Sequence, residues 1–390
     1  MPATATFTTP DGTLYRDHKR YSWFVSLLVP ALTLLGPALY LATGDAWVLW
    51  LPVAFNYLGV PLLDQLLGED TSNPPEQVVP LLEQDRYYRY ITYALVPLLW
   101  IFFVACAWFV GTHELPLHGL VAVALTAGGV CGYGLNLGHE IGHKPSRLEK
   151  NLAKMVLALG GYGHFTLEHN LGHHRDVATP EDSASSRMGE SIWRFALREL
   201  PGGWFRAWSL ESARLAKRKL PRWSHHNEIL QPLAITLVLY STLLALFGWV
   251  MIPFLTITAL WGAFQLTSAN YVEHYGLLRH KQENGRYERC QPRHSWNSNH
   301  LFSNWALFHL QRHSDHHAYP TRRFQSLRHF DNLPELPNGY FGMFLIAYFP
   351  PLWYRVMNPR LIRWAEGRAQ NINFDPSRRE ALIARYELEP

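Results

Sequence analysis

Lysine and arginine are missing from three long stretches of this 390-residue chain: Tyr21 to Asp85, Tyr90 to His143, and Trp223 to Leu278. All 35 basic residues therefore fall before Tyr21, in the 68–89 loop, in 144–222, or after Leu278. Stretches this long without a cation are what a hydrocarbon environment demands. Cysteine is scarce as well. Cys106, Cys131 and Cys290 are far apart and form no C-x-x-C pair, which excludes a zinc ribbon, an iron–sulfur site and a disulfide framework within the chain. No small-residue cleavage site closes the first apolar run, so no cleaved leader is read there. The length alone would permit two or three soluble domains, but the apolar runs exclude that reading.

What is present is apolar and aromatic. Runs near the length needed to cross a bilayer cover about 22–42, 47–67, 90–110, 118–137, 232–247 and 254–271. Aromatics make up 14% of the residues, with 15 tryptophans, as expected where rings sit at membrane interfaces. The mean hydropathy of −0.10 means that a large polar part lies outside the bilayer. The expected fold is an all-α membrane protein, one integral-membrane domain over 1–390. Six transmembrane helices would carry a helical cytoplasmic cap formed by 144–230 and 272–390. Pro74-Pro75 breaks the polar connection at 68–87. Gly128, Gly129, Gly132 and Gly134 permit close helix packing in the fourth run. The basic, tryptophan-bearing stretches of 144–230 read as helices lying on the membrane surface. The short loops 42–46, 111–117 and 248–253 carry no lysine or arginine, which puts both termini and the cap in the cytoplasm. Membrane lipid is an expected partner and nucleic acid is not.

Histidines cluster where these runs end. In His313-Ser314-Asp315-His316-His317 the spacing i, i+3, i+4 puts three imidazoles on one helix face. His139 and His143 stand at i, i+4 in HEIGH, and His169 and His173 do the same in EHNLGHH. His174 lies about 100° further around, so adjacent histidines can face two different ions. His274 follows the sixth run. Nine imidazoles exceed any single-ion shell and match two ions with four and five ligands. Neutral nitrogen donors suit iron, zinc or copper. No carboxylates are interspersed as ligands, which argues against calcium or magnesium and separates the site from the glutamate-ligated di-iron bundles. Glu140, Glu168, Asp176, Glu273 and Asp315 stand beside the histidines. Each is expected to accept a free ring N–H and fix the tautomer, or equally to pair with a nearby arginine. His164, His225, His226, His280, His294, His300 and His309 read as solvated or packing residues, and His113 and His118 lie on the far side of the membrane. HEIGH also fits the H-E-x-x-H zinc protease motif with Glu140 as base. A protease needs one further ligand, whereas this chain supplies many. A metal transporter is disfavoured because the clusters share one membrane face.

HEIGHK, EHNLGHH, NYVEHYGL and LQRHSDHHA together closely resemble the membrane-bound alkane 1-monooxygenase family, within the fatty acid desaturase/hydroxylase superfamily. The likeness runs from LLDQLLGEDTSNPP to LQRHSDHHAYP. It implies terminal hydroxylation of medium-chain n-alkanes to 1-alkanols by O2 at two non-haem iron ions in a bacterial inner membrane. Electrons would pass from NADH through rubredoxin reductase and rubredoxin; without a C-x-x-C here, rubredoxin is a separate chain or a further domain. A related desaturase or xylene monooxygenase is the alternative. The implied ligands are His139, His143, His169, His173, His174, His274, His313, His316 and His317. By analogy with the desaturases, one iron takes His139, His169, His174 and His313, and the other takes the remaining five. Beyond those ligands the resemblance names no catalytic residue. An alkane offers no polar handle, so a tunnel of apolar residues from the first three spans, with Asn56 and Tyr57, is expected to hold it. The basic segments 206–222 and 312–329 are expected to steer rubredoxin or to meet anionic lipid.

Overall fold

The computed structural model describes residues 5–9 and 11–390. Residues 1–4 and Pro10, part of the N-terminal segment expected in the cytoplasm, lie outside the described residues. A short antiparallel pair, Thr6–Thr8 (β1) with Leu14–Arg16 (β2), precedes the first long helix. Predominantly apolar side chains then form Ser22–Thr43 (α1), Ala46–Leu67 (α2), Arg86–Thr112 (α3) and Leu117–Gly142 (α4), each long and apolar enough to cross a membrane. Three helices of the cap follow: Arg147–Ala158 (α5), 165–176 (α6) and Ile192–Lys217 (α7).

Where two further spans were expected, the chain has one helical stretch, Leu230–His274, so the described residues hold five candidate spans. Unbroken, its 45 residues would reach about 68 Å, over twice the hydrocarbon thickness. It breaks at Gly248, whose φ of +74° suits a residue without a side chain. The result is Leu230–Phe247 (α8) and Met251–His274 (α9). After α9 the cap is less helical than expected. The chain from 275 to 312 runs mostly in turns before His313–Ala318 (α10) and Tyr340–Ala347 (α11).

α4 is the axis of the bundle, and its small residues explain why. A Cβ on Gly128 would lie 2.8 Å from the Trp261 side chain of α9, and one on Gly138 would lie 2.8 Å from Leu157 of α5. α4 thus touches helices on two sides at backbone distance, and 72% of its apolar window is buried. Buried polar clamps tie membrane helices to cap. Asp64, near the end of α2, accepts from Ser303 N at 2.8 Å and Ser303 Oγ at 2.5 Å. Arg312 is 2% exposed and donates to the carbonyls of Asp70 (2.7 Å) and Leu327 (2.8 Å), which fixes the start of α10.

Candidate metal centre

Four segments deliver the histidines to one place at the cap end of the bundle. The last turn of α4 presents His139, with His143 one turn on. α6 contains a π-turn at His169–His173. In such a turn residues five apart, not four, align. His169 and His174 consequently meet with Nε2 atoms 3.0 Å apart, while the rings of His169 and His173 stack with centroids 5.1 Å apart. The other side of His173 faces His274 and His317, with ring centroids at 4.9 and 5.1 Å. In α10, His313 and His317 bring their Nε2 atoms within 2.9 Å, and His316 points the other way, 3.2 Å from His174 Nε2. α9 ends on His274.

The nine imidazoles converge in two groups. One is His139, His143, His169, His174 and His316; the other is His173, His274, His313 and His317, each with nitrogens within 4.8 Å of one another. The membership differs from the expectation: the group around His139, His169 and His174 holds five rings rather than four. His143 and His316 join the first group, and His313 joins the second. The i, i+4 pairs His139/His143 and His313/His317 stay together on their helix faces, and the π-turn is what divides α6 between the groups.

The donor chemistry fits metal ions. Nε2 of His139, His143, His173 and His274 are buried without a hydrogen-bond partner among the described residues, and they point into these groups. The opposite nitrogens fix two tautomers. His173 Nδ1 donates to Asp182 Oδ2 at 2.8 Å, and His274 Nδ1 donates to the His294 carbonyl at 3.3 Å, leaving each Nε2 lone pair free for a cation. Burial, then the neighbouring rings, holds His169, His174, His313, His316 and His317 well below the ordinary imidazole range, so they are neutral donors. Burial alone would raise the Asp182 carboxyl, but His173 and Arg206 outweigh it and hold it well below the usual range.

Of the five acids expected against imidazoles, one touches a ring: Glu273 Oε2 lies 3.3 Å from His313 Nε2. Glu140 meets Lys144 Nζ (3.1 Å) and Phe324 N (3.3 Å), Glu168 pairs with Arg206, Asp176 with Arg175, and Asp315 with Arg322 and Arg328. One position along a helix turns a side chain by about 100°, so an acid next to a cage histidine faces away from the cage. Asp182 was missed because it lies in a loop nine residues beyond its partner, outside any local spacing. His309 is excluded from the cage. Its Nδ1 donates to the Phe324 carbonyl at 3.0 Å and its ring packs edge-on to Trp23. His164 packs between Tyr162 and Trp204.

Below the cage runs an apolar cavity. Leu125, Leu266, Phe341 and Phe344 supply wall, Asn56 and Tyr57 line it as expected, and it ends on His139, His169 and His313. Of the first three spans only α2 contributes to its walls, with α4, α6, α9, α10 and α11; α1 and α3 contribute none among the described residues. Asn56 and Tyr57 sit in a second π-turn, Phe55–Gly59, which aims them inward.

Helices of membrane-spanning length, an apolar cavity and a two-group imidazole cage at its end define a class of multi-pass membrane protein with a histidine-rich site able to hold metal. Residues 114–347 match the fatty acid desaturase family. The chain is 54% identical to alkane 1-monooxygenase 1 of Alcanivorax borkumensis over 381 residues, covering 97% of this chain and 94% of the relative. It is 53% identical to alkane 1-monooxygenase of Ectopseudomonas oleovorans, covering 95% and 93%. A xylene/toluene monooxygenase hydroxylase component of Pseudomonas putida is 27% identical over 64% of this chain and 65% of its own length. The chain belongs to the alkane 1-monooxygenases, within the fatty acid desaturase family.

Proposed function

We propose that this chain is an alkane 1-monooxygenase that converts medium-chain n-alkanes to 1-alkanols with O2. The observation that carries the reading is the apolar cavity that ends on His139, His169 and His313. Most of its walls are apolar, and each methylene buried from water there contributes about 0.8 kcal/mol. A chain held end-on presents its terminal carbon to the cage, and the enclosure keeps bulk water from the oxidant. The nine histidines would hold two iron ions, five ligands on one and four on the other, and those ions would supply the O2-derived oxidant that takes a terminal hydrogen and returns a hydroxyl.

Electrons are proposed to arrive from reduced rubredoxin at the cap. The arginines of 312–329 are not available for steering, because Arg312, Arg322, Arg323 and Arg328 are committed to carbonyls or to Asp315, Glu76 and Glu149. Lys217, Arg218, Lys219 and Arg222 are exposed beside an exposed Trp223 and supply the basic surface instead. The asymmetry of basic residues supports a bacterial inner-membrane location with cap and termini in the cytoplasm.

The test is to supply octane, O2 and a reduced rubredoxin system to purified protein, with metal analysis alongside. 1-Octanol with close to two irons per chain is expected. One zinc per chain and no O2 uptake would overturn the reading, and octene in place of octanol would assign a desaturase.

A further inference from the structure

Hydroxylation with O2 consumes two electrons and two protons, placing one oxygen in the alkanol and one in water. The cavity end where those protons are needed is lined by imidazoles, apolar side chains, Asn136, Asn270 and Glu273, and Glu273 is engaged with His313 at 3.3 Å. A proton source that can be reloaded from the cap has to stand close behind that wall.

Glu199, on α7, occupies such a position. It is 4% exposed. Its Oε1 accepts from Asn270 Nδ2 at 3.2 Å and its Oε2 from Thr267 Oγ1 at 2.8 Å. Asn270 is itself part of the cavity wall, one helical turn before His274 on α9. The other buried acids near it in the cap are matched to arginines: Glu168 and Asp182 with Arg206, Glu190 with Arg198, and Glu211 with Arg214. Glu199 is held by two neutral donors. A buried carboxylate without a cation is costly, and a carboxylic acid in the same place is not. The groups facing it are Thr267 and Asn270 from α9, Glu168 from α6, Asp182 from the following loop and Tyr162 from the turn before α6. Burial first, and then the charges of Glu168 and Asp182, push its carboxyl up to about 7 against the two hydrogen bonds. It therefore exchanges protons in the working range of the cell, where an efficient proton donor is poised.

Resting on the oxygenase reading above, we propose that Glu199 is the proton reservoir of the site. It hands protons past Asn270 to the oxygen being reduced and is reloaded from the cytoplasmic cap. In each delivery the carboxyl O–H bond breaks, an O–H bond of the product water forms, and the carboxylate takes a new proton from solvent. Two deliveries balance one turnover, and the electrons come from the external donor.

Glu199→Gln keeps the shape and removes the transferable proton, and Glu199→Asp keeps the acid with a shorter reach. Infrared spectra of the resting holoenzyme, without substrate or reductant, should show a protonated-carboxyl band that titrates near pH 7, is lost in Glu199→Gln and persists in Glu199→Asp. With iron content unchanged, Glu199→Gln should lower alkanol formation at least tenfold, release more peroxide per electron pair, and lose the pH dependence near 7; Glu199→Asp should recover part of the rate and the pH limb. Absence of the titrating band, or Glu199→Gln with wild-type rate and pH profile, overturns the proposal. Wild-type protein that shows the band but makes no alkanol overturns the oxygenase reading beneath it.

Discussion

Asp182 Oδ2 lies 2.8 Å from His173 Nδ1, and the same carboxylate receives Arg206 at 2.6 Å and Ser185 Oγ at 2.7 Å. One loop carboxylate thus orients an imidazole of the four-histidine group and is itself held in place by a cap helix. Removing such a partner usually costs 10–100-fold in metal affinity. Asp182→Ala should weaken iron retention against a chelator by about that factor, and Asp182→Asn, which keeps an acceptor oxygen, should do so less. Equal retention in wild type and Asp182→Ala would remove Asp182 from the site.

His274 stands alone at the end of α9, yet it completes the four-imidazole group. His274→Ala leaves three donors there and all five in the other group. Iron should fall from about two per chain toward one, with alkane hydroxylation lost. Full iron content with full activity would exclude it as a ligand.

Acid should empty the cage. Five of the imidazoles are held below their unfolded value of 6.5 by burial, so in that window the unfolded chain binds protons that the folded chain does not. Stability then falls as pH drops through 6.5, and metal affinity falls with it because protons compete for the same nitrogens. His173 works in the opposite sense. Burial lowers it, but Asp182 more than compensates and raises it, so its own contribution is present below 6.5 and lost as pH rises through the raised value. The five outnumber the one. Thermal midpoint and bound iron should both decline from pH 7 to pH 5; a flat profile would contradict the assignment.

The helical membrane class and the convergence of the histidine clusters were legible in the sequence, because uncharged apolar runs and i, i+4 spacing are local signals. Three things were not. The π-turn at His169–His173 changes which neighbours align, and nothing in EHNLGHH marks it, so the two groups were divided differently. Asp182 acts across a loop, and no local period reaches it. The arginines of 312–329 looked like free charge, but the acids and carbonyls that bind them, Glu149 and Asp70 among them, come from distant segments.

Within the basic segment 206–222 the exposed cations are Lys217, Arg218, Lys219 and Arg222. Changing these four to Glu should raise the KM for rubredoxin severalfold and flatten its dependence on salt, since steering by exposed charge is screened over about 10 Å at 0.1 M. The KM for alkane should not move. Unchanged rubredoxin kinetics would assign these residues to lipid headgroups instead.

Gly128 and Gly129 are neighbours on α4 with opposite expected effects. A Cβ on Gly129 would meet only Asn56 Nδ2, at 3.7 Å, and Gly129 lies on the cavity wall, so a larger side chain has room to project into the substrate space. Gly129→Leu should leave the fold intact and cut turnover of the longest accepted alkanes while sparing shorter ones. Each methylene refused a buried place costs about 0.8 kcal/mol, roughly fourfold in affinity. A Cβ on Gly128 would come within 2.8 Å of Trp261 Cβ and 3.0 Å of the Thr258 carbonyl. Gly128→Leu must therefore push α4 and α9 apart, which lowers the thermal midpoint and activity on every chain length. Product profiles across a series of alkanes, taken with melting curves, separate the two. If Gly129→Leu lowered turnover equally for all lengths at wild-type stability, the cavity below the cage would not be what measures the alkane.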